Sequence, residues 1–164
     1  MDAAYHVGMA DIIVITAPAT LVTLGLGSCI GLVLFDTIGK VAGMAHIMLP
    51  ESHSAAGAQV DKPGKFADTA VPTLISEVCK QGALRSRLKA KMAGGAQMFA
   101  LAGTQSEFLA VGARNIKETT EMLRKHSISL VASDTGGNRG RSVEFSTVTW
   151  MLAVKTLGKG KVDI

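Results

Sequence analysis

The segment Thr23-Leu24-Gly25-Leu26-Gly27-Ser28-Cys29-Ile30-Gly31 sets a thiol beside a hydroxyl, with Gly27 before the pair and Gly31 after it. Glycine on both sides lets the backbone turn sharply and lets another molecule approach the sulfur and the nearby N–H groups. His46 follows inside the apolar run Val41–Leu49, where alternation puts Met44 and Met48 on its own face. A cysteine and a histidine on adjacent strands could bring thiol and imidazole together. A free thiol, with a pKa of about 8.5, is mostly protonated at neutral pH. A neighbouring imidazole can take that proton and later return one to a leaving amine. The same two residues also fit a plainer arrangement, with Cys29 a small buried hydrophobe and His46 a hydrogen-bonded core histidine. Spacing leaves both open.

These residues need strands to position them. Ile12–Ile15 reads as a strand ended by an Ala17–Pro18 turn, and Thr20–Leu24 as a second, interrupted by the Gly25–Cys29 stretch. Ile30–Phe35 is a third, Asp36–Lys40 a turn, and Val41–Leu49 a fourth ended by Pro50. The short connections suggest an antiparallel meander. Glu51–Gly64 reads as a mobile loop. Ala67, Val71, Leu74, Val78 and Leu84 then mark a helix face, capped by Asp68 or Thr69, with Pro72 near the first turn. Leu88–Met92 is a strand before Gly94-Gly95, and 97–112 has no clear period. Asn115 caps a second helix reaching His126, with Ile116, Thr119, Thr120 and Leu123 on one face and a Glu121–Lys125 pair. Strands follow at Ile128–Ser133, Ser142–Thr147 and Met151–Val154, and the chain from Gly158 looks loose. Strands early and two helices later predict an α+β domain with mixed or antiparallel sheets and helices packed outside. One domain is expected over 1–164, with its core in 7–154 and a tail at 158–164.

Composition limits the function classes. Of 164 residues, 48% are hydrophobic and 18% charged, which excludes a disordered chain. The formal net charge of +4 and 4% aromatics give little support for nucleic-acid binding. Residues 12–35 carry no charge over a length that could cross a bilayer, but Pro18, Gly25, Gly27 and Gly31 break the run, and buried strands explain it better. Cys29 and Cys79 are the two cysteines, too few for a disulfide scaffold, and 1–11 lacks the positive start of a signal peptide. The expectation is a cytoplasmic protein with reduced thiols. No ligand cluster has metal spacing, so neither metal nor cofactor is expected.

The run Thr23-Leu24-Gly25-Leu26-Gly27-Ser28-Cys29, followed by Gly43-Met44-Ala45-His46-Ile47-Met48-Leu49-Pro50, strongly resembles the chemoreceptor glutamine deamidase family, CheD. Later segments match in the same order: Phe66-Ala67-Asp68-Thr69-Ala70, Lys91 to Gly94-Gly95-Ala96, Gly112-Ala113-Arg114-Asn115, Asp134-Thr135-Gly136-Gly137 and Gly140-Arg141. The resemblance implies deamidation of particular Gln residues on the cytoplasmic helices of methyl-accepting chemotaxis receptors. It implies Cys29 as nucleophile, His46 as base and Thr23 as third member. It also implies a three-layer sandwich resembling the deamidase domain of cytotoxic necrotizing toxins, and binding to the CheC phosphatase. Backbone N–H groups near Ser28–Cys29 are then candidates for the oxyanion hole, with Gly27 beside them as an oxyanion or substrate-binding residue; the Ser28 hydroxyl fits either the hole or a turn residue chosen for size. The same chemistry could hydrolyse a receptor Glu methyl ester. Contact with the membrane would come only through receptors.

Other residues read more plainly. Cys79 fits core packing, His53 a solvated loop, and His126 a helix end that favours a cation; His6 is uninformative. Thr135–Arg141 lacks a P-loop ending and reads as a turn. Lys80, Arg85, Arg87, Lys89 and Lys91 form a basic run that fits a solvated face, or complementarity to acidic helices. Phe66 stands where Tyr is more usual in the family, and Ala93 where a bulkier residue is common. Thr149-Trp150 makes a poor tight turn, so an exposed Trp150 would be an interface residue. The competing reading is an adaptor whose main task is regulating CheC. Cysteine protease signatures are absent, and a redox thiol would not need His46.

Overall fold

A computed structural model describes residues 2–52, 61–98 and 110–164. In chain order the elements are β1 (Ala3–His6), β2 (Ile12–Thr16), β3 (Ala19–Leu26), β4 (Ile30–Asp36), β5 (Val41–Ile47), α1 (Ala67–Lys80), β6 (Lys89–Gly94), α2 (Val111–Lys125), β7 (Ser129–Thr135), β8 (Arg141–Ser146), β9 (Met151–Thr156) and β10 (Lys161–Asp163). The strands form two five-stranded sheets, an outer one ordered β1-β3-β8-β9-β10 and a central one ordered β2-β5-β4-β6-β7. Both are mixed, because β1 runs parallel to β3 and β7 parallel to β6 while the other pairs are antiparallel.

Burial explains the layering. Every residue of β4 and β5 is buried, as a sheet covered on both faces requires. One face of the central sheet, with Val33, Phe35, Ala42 and Met44, packs on Leu21, Val143, Phe145 and Leu152 of the outer sheet. The other face, with Ile30, Leu32, Leu34 and Ile47, packs on Val71, Leu74 and Val78 of α1 and Met122 and Leu123 of α2. The result is an α+β fold in three layers, sheet on sheet on helices. The uncharged stretch at 12–35 is β2, β3 and β4. No helix of the described residues is long and apolar enough to cross a membrane.

Several expectations are corrected. The chain does not meander through one sheet, since β2 and β3 lie in different sheets. Gly25, with φ +67°, does not end its strand. The register shift between Thr23 and Leu26 absorbs an extra residue as a bulge, and β3 continues to Leu26. Helix α1 begins two residues earlier than a cap at Asp68 would allow. Its flanking residue is Phe66, with no side-chain cap. The Asp68 carboxylate instead accepts the Ser52 N–H, and the Thr69 hydroxyl donates to the Pro63 and Phe66 carbonyls. Pro72 therefore lies inside the helix, and Leu84 lies beyond it, half exposed, while Ala83 is buried.

Helix α2 starts at Val111, so Asn115 is interior and not a cap, and Thr120 faces solvent. Glu121 pairs with Arg124 at 3.2 Å rather than with Lys125. Two elements the sequence did not announce complete the outer sheet. These are β1 and, in place of a loose tail, β10, which pairs with β9. Most of the expected loop Glu51–Gly64, with His53, and most of the unassigned 97–112 region lie outside the described residues.

The basic run does not form one solvated face. Arg87 donates from Nε and Nη2 to the buried Asp36 carboxylate at 2.9–3.0 Å. Lys91 is buried, and its Nζ donates to the Trp150 and Ile164 carbonyls at 2.8 and 3.0 Å beneath the Phe35 ring. Burial, and then Lys89, push its pKa down. Trp150, with φ +59°, stacks on Phe35 and meets Phe145 edge-on, so it serves the inter-sheet core and not an exposed interface. His126 meets Arg85, and burial together with Arg85 and Lys125 presses its pKa down, against the cationic helix-end role. Cys79 packs against the helix-side core, and His6 is exposed on β1.

Candidate functional site

Thr23 and His46 approach from different sheets. On β3, Leu21 points into the inter-sheet core and Thr23 follows it on the same face. On β5, Ala42 and Met44 do so, and His46 follows them. Both side chains are almost wholly buried, and Thr23 Oγ1 lies 2.8 Å from His46 Nδ1. Gly31 pairs with His46 in the ladder and leaves room beside the contact. A Cβ on Gly31 would stand 3.3 Å from Thr23 Cγ2 and 3.2 Å from Leu26 Cδ1.

The protons of this pair can be assigned. Thr23 Oγ1 also lies 2.6 Å from the Val7 carbonyl oxygen. A carbonyl only accepts, so the single hydroxyl proton goes to Val7. Thr23 then has only lone pairs for His46, and Nδ1 must carry the ring proton. In the neutral imidazole Nε2 is therefore the basic nitrogen, and it has no hydrogen-bond partner among the described residues. Burial lowers the His46 pKa, opposed by the Val7 carbonyl and by Asp11, and the ring rests neutral.

Cys29 precedes β4 and is partly buried against the inter-sheet core. Burial pushes its thiol pKa up. Thiol and imidazole are thus both held neutral, and no hydrogen bond joins Cys29 to Nε2 in this state. Both shifts favour the neutral forms and disfavour a resting thiolate–imidazolium pair.

The backbone around the thiol is held from behind. The Gly27 carbonyl accepts the Ala96 N–H at 2.8 Å, the Cys29 carbonyl accepts the Gly95 N–H at 2.9 Å, and the Ser28 carbonyl accepts from Asn115 Nδ2 at 2.8 Å. Neither the Ser28 nor the Cys29 N–H donates to a described acceptor. β6 comes this close because Gly94 (φ +112°) lacks a Cβ, which would overlap the Cys29 carbonyl oxygen. Arg141 ties the Gly-rich turn to the site by donating to the Gly94 carbonyl and pairing with Asp134 at 3.2 Å. The Ser28 hydroxyl makes no hydrogen bond among the described residues, and Gly27 contributes backbone alone. A surface hollow of about 330 Å³ beside the β3 bulge is lined by Gly25, Gly140, Arg141, Ser142, Lys155 and Leu157 and does not include the thiol.

The structure thus brings Thr23 and His46 into contact and sets Cys29 immediately before β4, the strand paired with that of His46. Local sequence does not show the Val7 carbonyl, the packing role of Gly31 or the Asn115 contacts, since Asn115 resembles a cap. Only Asn115, inside Gly112-Ala113-Arg114-Asn115, had a signal available. Among the described residues no three His, Cys, Asp or Glu side chains gather where they could hold a metal ion.

A family model described as CheD chemotactic sensory transduction matches residues 48–156. The chain is 46% identical over 164 residues to the chemoreceptor glutamine deamidase CheD of Halalkalibacterium halodurans, covering 100% of both chains. It is 46% identical over 155 residues to the protein of the same name from Thermotoga maritima, covering 94% of this chain and 93% of the relative.

Proposed function

The chain belongs to the CheD family, and from that premise we propose that it deamidates specific Gln side chains on the cytoplasmic helices of methyl-accepting chemotaxis receptors, with Cys29 as nucleophile, His46 as base and Thr23 as the residue that orients His46. The observation that carries this reading is the Val7–Thr23–His46 relay, which frees Nε2 as the basic nitrogen. A histidine serving only the core would be expected to have both nitrogens engaged.

The steps follow from acyl transfer. Nε2 of His46 takes the Cys29 proton as the sulfur attacks the carboxamide carbon, and the carbonyl electron pair moves to oxygen. That oxyanion is received by the Ser28 and Cys29 N–H groups. The imidazolium proton passes to the amide nitrogen, the C–N bond breaks and ammonia leaves a thioester. Water then attacks the thioester carbon and gives its proton to Nε2. The C–S bond breaks, the sulfur recovers the proton and Glu is released. A Glu methyl ester would follow the same course with methanol leaving, which makes receptor esterase action a side reaction of the same groups.

The test is ammonia release with a mass shift of about +1 Da, the Gln-to-Glu exchange of NH₂ for OH. It would use a purified chemoreceptor cytoplasmic fragment and compare wild type with Cys29→Ala and His46→Ala. A shift at specific Gln sites, lost in both variants, is expected. No shift with wild type on several receptors would sink the enzyme reading and point to CheC binding, in which Cys29 should not matter.

A further inference from the structure

We infer that Asn115 is a positioning residue of this reaction, holding the Ser28 and Met48 carbonyls from α2 so that the Cys29 N–H faces the developing oxyanion. The inference rests on the reading of Cys29 as the acyl-carrying nucleophile.

The geometry fixes the amide. Its nitrogen lies 2.8 Å from the Ser28 oxygen and 3.0 Å from the Met48 oxygen, and the residue is fully buried. Both partners are carbonyls and only accept, so the atom between them must be the NH₂ group, with one proton for each. Ser28 immediately precedes the nucleophile, and Met48 lies just beyond His46. One side chain therefore ties the nucleophile arm to the base arm.

The Ser28–Cys29 peptide is trans, so its C=O and N–H point in opposite directions. Fixing the carbonyl toward α2 turns the Cys29 N–H away from α2. The Ala96 N–H does the same for the preceding peptide by holding the Gly27 carbonyl. Meanwhile Asn115 Oδ1, and Thr119 Oγ1 one turn further along, have no partner among the described residues. Leaving a buried acceptor unpaired costs stability. Asn115 accepts that cost while directing both its donors at the two arms.

The experiment compares wild type, Asn115→Ala and Thr119→Val on the receptor fragment, with kcat and KM separated. It also measures the Cys29 alkylation rate with iodoacetamide, a displacement that builds no oxyanion. Asn115→Ala should lower kcat by about 10- to 100-fold with KM and alkylation within about twofold of wild type, as loss of an aimed oxyanion donor predicts. Thr119→Val, on the same helix face, should keep wild-type kcat. Wild-type kcat in Asn115→Ala, or kcat and alkylation falling together, would overturn the proposal.

Should Asn115→Ala not fold, the wild type carries the test. A peptide whose target Gln is replaced by the corresponding side-chain aldehyde forms a C–S bond with Cys29, the thiol proton passing to His46 and the carbonyl pair to oxygen. The Cys29 amide proton should then move downfield in the NMR spectrum, and an unmoved amide would overturn the proposal. If wild type releases no ammonia from the receptor fragment while this shift is seen, the substrate reading fails and the aiming of the N–H stands.

Discussion

Thr23 has one proton to give, and the Val7 carbonyl takes it. What Thr23 offers His46 is therefore orientation and a fixed tautomer, with no formal charge to stabilise an imidazolium. Thr23→Val should lower kcat for ammonia release by about 10- to 100-fold, less than the loss in Cys29→Ala, and Thr23→Ser should restore it. Wild-type turnover in Thr23→Val would remove the hydroxyl from the mechanism. The thiol makes a second prediction. Because burial raises the Cys29 pKa and lowers that of His46, thiolate is scarce at neutral pH in the resting protein. Alkylation of Cys29 should climb with pH and reach its midpoint above the ordinary thiol value of about 8.5. Rapid, pH-independent alkylation near about pH 6 would mean a resting thiolate–imidazolium pair instead.

Elements decide what the sequence could reveal. The inward face of His46 was legible, because strand alternation with Met44 is a local rule. Asn115 was misread for an equally local reason, since Asn before a periodic segment resembles a helix cap. Val111 and Gly112 extend the helix ahead of it, and its true partners, Ser28 and Met48, are remote in the chain. Lys91 and Trp150 were misread likewise, because their contacts cross between sheets. Asp36, at the end of β4, shows such a long-range contact acting on stability. Burial alone would raise its pKa, but Arg87 and the N–H groups of Gly39 and Leu84 outweigh this and hold it well below the usual carboxylate range. A folded pKa below the unfolded one adds stability that is present above the unfolded value, about 3.9, and lost as pH falls below it. Asp36→Asn should cost about 2–4 kcal/mol at neutral pH, less than a fully buried pair because Arg87 keeps 34% side-chain exposure. The variant should also lose much of the acid dependence of Tm below about pH 4. A Tm–pH profile parallel to wild type would deny Asp36 this role.

At the scale of the whole molecule, two mixed sheets and one helical layer put the site in the gap between the sheets. The α+β class and most strands were legible from β-branched runs and turns. Which strands enter which sheet was not, because nothing local tells β3 to leave the sheet of β2. The segment after Gly158, expected to be loose, closes the outer sheet. β10 pairs with β9, Ile164 exchanges backbone hydrogen bonds with Leu152, and the Ile164 carbonyl accepts from Lys91. Removing residues 161–164 should lower stability by about 2 kcal/mol, roughly 4–8 °C in Tm. An unchanged melting curve would show that this strand contributes nothing.

Thr23, Cys29 and His46 all lie early in the chain, whereas the donors that hold the backbone beside Cys29 come from Gly95, Ala96 and Asn115. During synthesis the thiol therefore leaves the ribosome well before the groups that would aim its neighbouring N–H. In the proposed reaction, a nascent or truncated chain carries the sulfur without the tool, and reactivity toward bystander amides would be deferred until the later part of the chain has emerged and packed behind it.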